Sequence, residues 1–198
     1  MSTRGAYGFY INGSEKVTYN HSDSYPTYLG AEIIKNIQEA PDELLLKVAG
    51  KIYLIIEGAH PTPEQIEKYK QFYNADVSTG KPNSWYDLLH EAQGDLSAYI
   101  KKGLNIMEDS REFLKDSLSC EWAYIINMDN KTLELYKGRN KDPHWAGRYA
   151  KFPSGDSHNE YFGVALKRTI TLDEVRQIKN IDEWCKEFQE TCKKESEE

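Results

Sequence analysis

The sequence predicts an α+β fold: a mainly antiparallel sheet built from two β-hairpins plus a further strand, packed against a helical middle region and a C-terminal helix. Three observations carry this. Two β-prone runs, Gly5 to Ile11 and Lys16 to Asn20, flank Asn12-Gly13. Asn-Gly favours a tight hairpin because a type I′ turn needs positive φ at both central residues. A second pair of runs, Glu121 to Asn127 and Thr132 to Tyr136, flanks Asp129-Asn130-Lys131. Between the hairpins, from about residue 29 to 115, apolar residues recur with a helical rather than an alternating period.

The middle region reads as a series of helices. Leu29, Ile33, Ile34 and Ile37 share one stripe. Pro41 suits a helix start, and Asp42 and Glu43 suit the positive end of its dipole. Leu44, Leu45, Leu46, Val48 and Ala49 then predict a helix buried on more than one side. Lys51 to Ile56 fits either a strand or a continuing helix. Thr62 and Gln65 form a capping box with Pro63 between them, and Ile66, Tyr69 and Tyr73 mark the inner face. Asp76 to Asn83, with Ser78, Gly80 and Pro82, reads as a loop. Trp85, Leu88, Leu89 and Ala92 resume the helical stripe; Gly94 interrupts it before Leu96, Tyr99 and Ile100.

In the second hairpin, the uniformly apolar Trp122 to Ile126 predicts a central strand. Leu133 and Leu135 alternate with Thr132, Glu134 and Tyr136, predicting a strand with one wet face. Arg139 to His158 reads as a long polar loop, Tyr161 to Lys167 as a further strand. Thr171 and Glu174 form a second capping box, with Val175 and Ile178 on the apolar face. Ile181, Trp184, Cys185, Phe188 and Cys192 form the stripe of the last helix. The chain is read as one domain over 1–194 with an acidic tail at 195–198.

Composition narrows the function classes. The 198 residues carry a formal charge of −7, which argues against nucleic acid as a partner, because phosphate binding needs a basic footprint. No apolar run reaches the length of a membrane span, and no basic-then-apolar leader is present, so a cytoplasmic protein is expected. Three cysteines fit reduced thiols. The histidines (His21, His60, His90, His144, His158) are scattered without metal-ligand spacing, and Gly-x-Ser-x-Gly is absent, so neither a metal nor another cofactor is expected.

The sharpest constellation is Arg4, Asn20, His21, Asp23 and Tyr25, delivered where the first hairpin ends. An imidazole near a carboxylate is a usable acid–base pair. A guanidinium can hold a carboxylate or phosphate bidentately. The same residues can instead shape the turn before Pro26 through backbone hydrogen bonds. Ser2, after removal of Met1, would carry an α-amine able to serve as its own base, as in N-terminal nucleophile hydrolases. In the long loop, His144-Trp145 with Arg148 and Tyr149 form a candidate cover that stacks on a ligand. Cys120 reads either as a nucleophile or as a buried thiol beside a core strand.

The opening block, Ser2-Thr3-Arg4-Gly5, Gly8-Phe9, Asn12-Gly13, Thr18-Tyr19-Asn20-His21, Asp23-Ser24-Tyr25-Pro26 and Leu29-Gly30, resembles a family of small bacterial and bacteriophage proteins of uncharacterised activity. Lys16 belongs to the same block, and Trp85-Tyr86 with Leu88-Leu89, Gln93-Gly94-Asp95, and Cys120 to Tyr124 through Leu133 to Gly138 extend the resemblance to about Gly138. Ser24 stands where more distant relatives have glycine. The resemblance implies a phage or prophage ancestry and an intracellular setting, and it carries no catalytic residues with it. The expected function is an accessory protein that binds a small polar ligand or a host protein through the hairpin site. The alternatives are a hydrolase using Ser2 or the His21–Asp23 pair, and a structural protein whose aromatic surface packs in a homo-oligomer.

Overall fold

The computed structural model describes residues 2–56, 58–76, 82–154 and 160–195. In chain order the elements are β1 (Gly5–Ile11), β2 (Ser14–Asn20), a π-type turn (Pro26–Gly30), α1 (Ala31–Glu39), α2 (Asp42–Lys51), β3 (Tyr53–Ile55) and α3 (Pro63–Tyr69). There follow α4 (Trp85–Leu88), α5 (Leu96–Ile100), β4 (Ile106–Glu108), β5 (Trp122–Asn127), β6 (Thr132–Lys137), β7 (Ala165–Thr171), α6 (Leu172–Gln177) and α7 (Ile181–Lys194). The architecture is α+β with a five-stranded, mostly antiparallel sheet of order β2-β1-β5-β6-β7.

Both hairpins form. Asn12 and Gly13 take φ of 51° and 73°, and the Asp129 carboxylate accepts both of their amides, at 2.7 and 2.9 Å. The hairpins are joined by a parallel pairing of β1 with β5, from Gly5 opposite Trp122 to Tyr10 opposite Asn127. A parallel pair needs a crossover connection, and the helical middle supplies it. That middle also contains β3 and β4, a two-stranded parallel ribbon, so Lys51 to Ile56 resolves into the end of α2 followed by a short strand.

One face of the sheet presents Tyr7, Phe9, Trp122, Tyr124, Ile126, Leu133 and Leu135 to the helices. Ile33, Ile34 and Ile37 of α1 are sealed here, each burial contributing about 1.5–3 kcal/mol. Cys185, Phe188 and Cys192 of α7 join the same core. The predicted capping boxes form at Thr62–Gln65 and Thr171–Glu174. The break before α5 falls at Gly94, whose φ is +72°. Gly5 is required by close approach: a Cβ there would lie 2.5 Å from the Trp122 carbonyl and 2.6 Å from Ser24 Cβ.

Three details differ from the sequence reading. First, α2 buries one side only. Leu45, Val48 and Ala49 are inside while Leu46, on the outer side of the helix, is half exposed. Second, β6 has no wet face: Glu134 and Tyr136 are buried. Residues of the long connection, with the 3-10 segment Arg111–Lys115, cover that side and form a second core of Ala6, Val17, Leu114, Ala123, Ile125 and Tyr149. Third, the last strand spans Ala165–Thr171 rather than Tyr161 to Lys167. The backbone of 162–164 is diverted, donating to the carbonyls of Asn140, Phe152 and Leu114. Ser78, Gly80, His158 and the tail beyond Glu195 lie outside the described residues, as does Met1.

Candidate functional site

The end of β2 sits between two hollows. The larger, of about 590 Å³, is lined by Arg4, Tyr19, Ile56, Tyr86 and the segment from Glu108 to Phe113. The period-2 geometry of β2 sends Tyr19 to the face opposite Thr18 and Asn20. There it meets Phe113 edge-on at 5.1 Å between centroids and Tyr86 at 6.5 Å. Tyr86 in turn meets His90 at 5.9 Å, and His90 stacks on His21 at 4.9 Å and 28°. A row of five rings therefore runs from Phe113 to His21, and Tyr86 remains 40% exposed at its centre. Burial raises the Tyr19 phenol above its ordinary range, opposed by the neighbouring Arg4 guanidinium. Arg111 is held bidentately by Asp109, at 2.8 and 2.6 Å. Arg4 forms no ion pair among the described residues.

The smaller hollow, of about 350 Å³, adjoins His21, Asp23, Thr27, Glu32, Gln93 and Asp182. His21 Nδ1 lies 2.7 Å from Gln93 Oε1, so the imidazole's hydrogen bond goes to an amide rather than to Asp23. Asp23 is exposed and takes φ of 52°. Among the described residues no three His, Cys, Asp or Glu side chains gather as metal ligands would.

The structure thus distributes the residues singled out from sequence. Arg4 lines the large hollow; His21 and Asp23 line the small one. Asn20 is buried and committed to the turn: Nδ2 donates to the Ser22 carbonyl and to Ser24 Oγ, the latter at 2.8 Å. Ser24 is also buried, its amide donating to the Thr3 carbonyl and its carbonyl accepting from the Tyr124 hydroxyl. Tyr25 lines a third hollow, near Trp122. Ser2 Oγ donates to the His21 carbonyl at 2.6 Å, which sets the start of the chain beside the imidazole's own backbone.

Trp145 and Arg148 do not join these groups. Lys167 Nζ sits 3.2 Å from the centroid of the Trp145 ring. The Arg148 guanidinium lies over Tyr10 and grips Glu134 through two bonds, at 3.0 and 2.6 Å. These contacts fasten the part of the connection around Trp145 and Arg148 to the sheet. Cys120 is fully buried, and burial pushes its thiol far above the ordinary range.

Tyr19, Tyr86, His90 and Phe113 were not singled out as site residues from sequence. Their signal is the alternation of Val17 and Tyr19 along one face of β2, continued by His21 just past its end, but their partners come from segments some 65 or more positions away. No family model matches the chain, and no curated protein or solved structure does either.

Proposed function

We propose that this protein is a non-enzymatic binding protein, of bacteriophage accessory type, that takes a small polar ligand with a planar ring in the hollow beside the N-terminal hairpin. The observation that carries the reading is the half-exposed ring row of Phe113, Tyr19 and Tyr86 with an Arg4 guanidinium free of carboxylate partners among the described residues. An aromatic wall offers a stacking surface, and a guanidinium bonded to the Tyr19 phenol but, among the described residues, to no carboxylate offers an anchor for a carboxylate or phosphate. A small molecule with a flat ring and a carboxylate or phosphate, such as an aromatic amino acid, satisfies both surfaces. A cavity of this size falls within the range of small-molecule sites. The resemblance of the opening block to bacterial and bacteriophage proteins supports the accessory role.

The test is a thermal-shift screen of the full chain against amino acids, their aryl derivatives and nucleosides, because a ligand bound only by the native state raises apparent stability by mass action. A hit whose shift disappears in Arg4→Gln and in Tyr86→Ala supports the hollow. A shift that persists in both variants places the ligand elsewhere.

A second reading, hydrolysis from the N-terminus, is favoured by one contact, that of the Ser2 hydroxyl with the His21 backbone. Intact mass decides its premise: a retained Met1 removes the free α-amine it requires.

A further inference from the structure

A separate hollow of about 580 Å³ opens at the end of the sheet where β5 begins and β6 ends. Its charge contradicts the chain as a whole. In a protein of net charge −7, four cations (Lys137, Arg139, Lys141 and Lys193) line it against one carboxylate, Glu121. Among the described residues none of the four forms a salt bridge. Two of them rest on aromatic walls instead: Lys137 Nζ lies 4.5 Å from the Trp122 centroid, and Lys141 Nζ 5.2 Å from that of Tyr161.

The positions come from different parts of the fold. Lys137 closes β6, Arg139 and Lys141 follow it, and Lys193 comes from the last turn of α7. Arg139 holds a φ of 58°, with its amide donating to the Ser117 carbonyl at 2.6 Å. Left-handed backbone at a non-glycine residue costs energy and is found where surrounding contacts over-determine it. Lys137 is driven toward its neutral form mainly by burial, with Arg139 and Lys167 adding to the effect against Glu121. Gathering like charges in a half-enclosed space is unfavourable unless a counter-charge enters.

We propose that this hollow binds a small molecule bearing two or more phosphoryl groups, held by Arg139, Lys141 and Lys193 around Lys137. Arg139 supplies the planar fork that matches phosphate oxygens; the lysines supply point charges. The volume accommodates a whole nucleotide or a bare polyphosphate.

The experiment is calorimetric titration of the full chain with sodium triphosphate and, separately, with ATP, in low-salt buffer. One saturable site is expected, weakening as salt is added. Arg139→Gln and Lys193→Gln are each expected to reduce affinity roughly tenfold or more. Lys35→Gln, an exposed change on α1, is expected to leave it unchanged. Tighter binding of ATP assigns the ligand to nucleoside polyphosphates; equal binding assigns it to the polyphosphate alone. Absence of saturable binding by both probes overturns the proposal. So does equal weakening by Lys35→Gln, which would mark a diffuse charge effect. Lys193 lies in the last turn of α7, so its variant retains the fold and keeps the test decisive.

Discussion

Glu134→Ala is expected to unfold the protein more readily than any other single change on the covered face of the sheet. The carboxylate is 8% exposed and accepts four hydrogen bonds: two from Arg148, at 3.0 and 2.6 Å, one from Asn127 Nδ2 at 2.8 Å and one from the Tyr136 hydroxyl at 2.7 Å. Truncation strands the guanidinium, whose remaining carboxylate is Glu15 at 3.4 Å, and leaves two neutral donors without an acceptor. Breaking a buried pair from one side costs about 3–5 kcal/mol. Glu134→Gln keeps the shape and some of the bonds, and about 1.5–3 kcal/mol is expected. Urea unfolding followed by tryptophan fluorescence reads both, with the slope checked for constancy.

The pH dependence has a definite sign. Burial raises the Glu134 pKa, but Arg148, Asn127 and Tyr136 outweigh it, so the native value lies below the ordinary 4.5. A carboxyl with a depressed native pKa stabilises above its unfolded value and loses that contribution as pH falls through the native one. The difference between parent and Glu134→Gln is therefore expected to be constant near neutrality and to shrink as pH drops below about 4.5. A Glu134→Ala cost under about 1 kcal/mol, typical of an exposed pair, would refute the clamp.

Other outcomes follow from the same structure. Gly5→Ala is expected to cost about 1–3 kcal/mol by overpacking, since the new methyl would meet the Trp122 carbonyl and Ser24; the denaturation midpoint reads it. Asp129→Ala removes the acceptor of the Asn12 and Gly13 amides and is expected to cost about 1 kcal/mol, with faster amide exchange confined to the first hairpin turn. The thiols are expected to resist a disulfide reagent in the native state: all three are buried, and burial pushes Cys185 up to about 12 and Cys192 up to about 11. Three thiols should react in denaturant, and rapid labelling without denaturant would contradict the packing of α7.

Local chemistry was legible where it acts over a few residues. Asn12-Gly13, the two capping boxes and the stripes of α1 and α7 all follow from short-range spacing. Pairings that depend on distant segments were not. Glu134 reads as solvated because its partner Arg148 arrives from a connection with no periodic pattern. The parallel alignment of β1 with β5 leaves no mark in either strand's sequence. The candidate site shows the same division. His21 and Asp23 were visible as neighbours in the chain, but strand geometry turned His21 toward Gln93 and His90, and carried Tyr19 toward Tyr86 and Phe113. Arg4 was visible by its chemistry, and its hollow only through the fold.

Binding in that hollow is read most directly by a two-dimensional amide NMR titration of the full chain with tryptophan and with adenosine. Saturable shift changes concentrated at Arg4, Tyr19, Tyr86 and the Glu108 to Phe113 segment are expected, and Tyr86→Ala should abolish them while the rest of the spectrum stays in place. Shifts that saturate elsewhere, or that survive Tyr86→Ala, would show that the ring row beside the first hairpin packs the fold and holds no ligand.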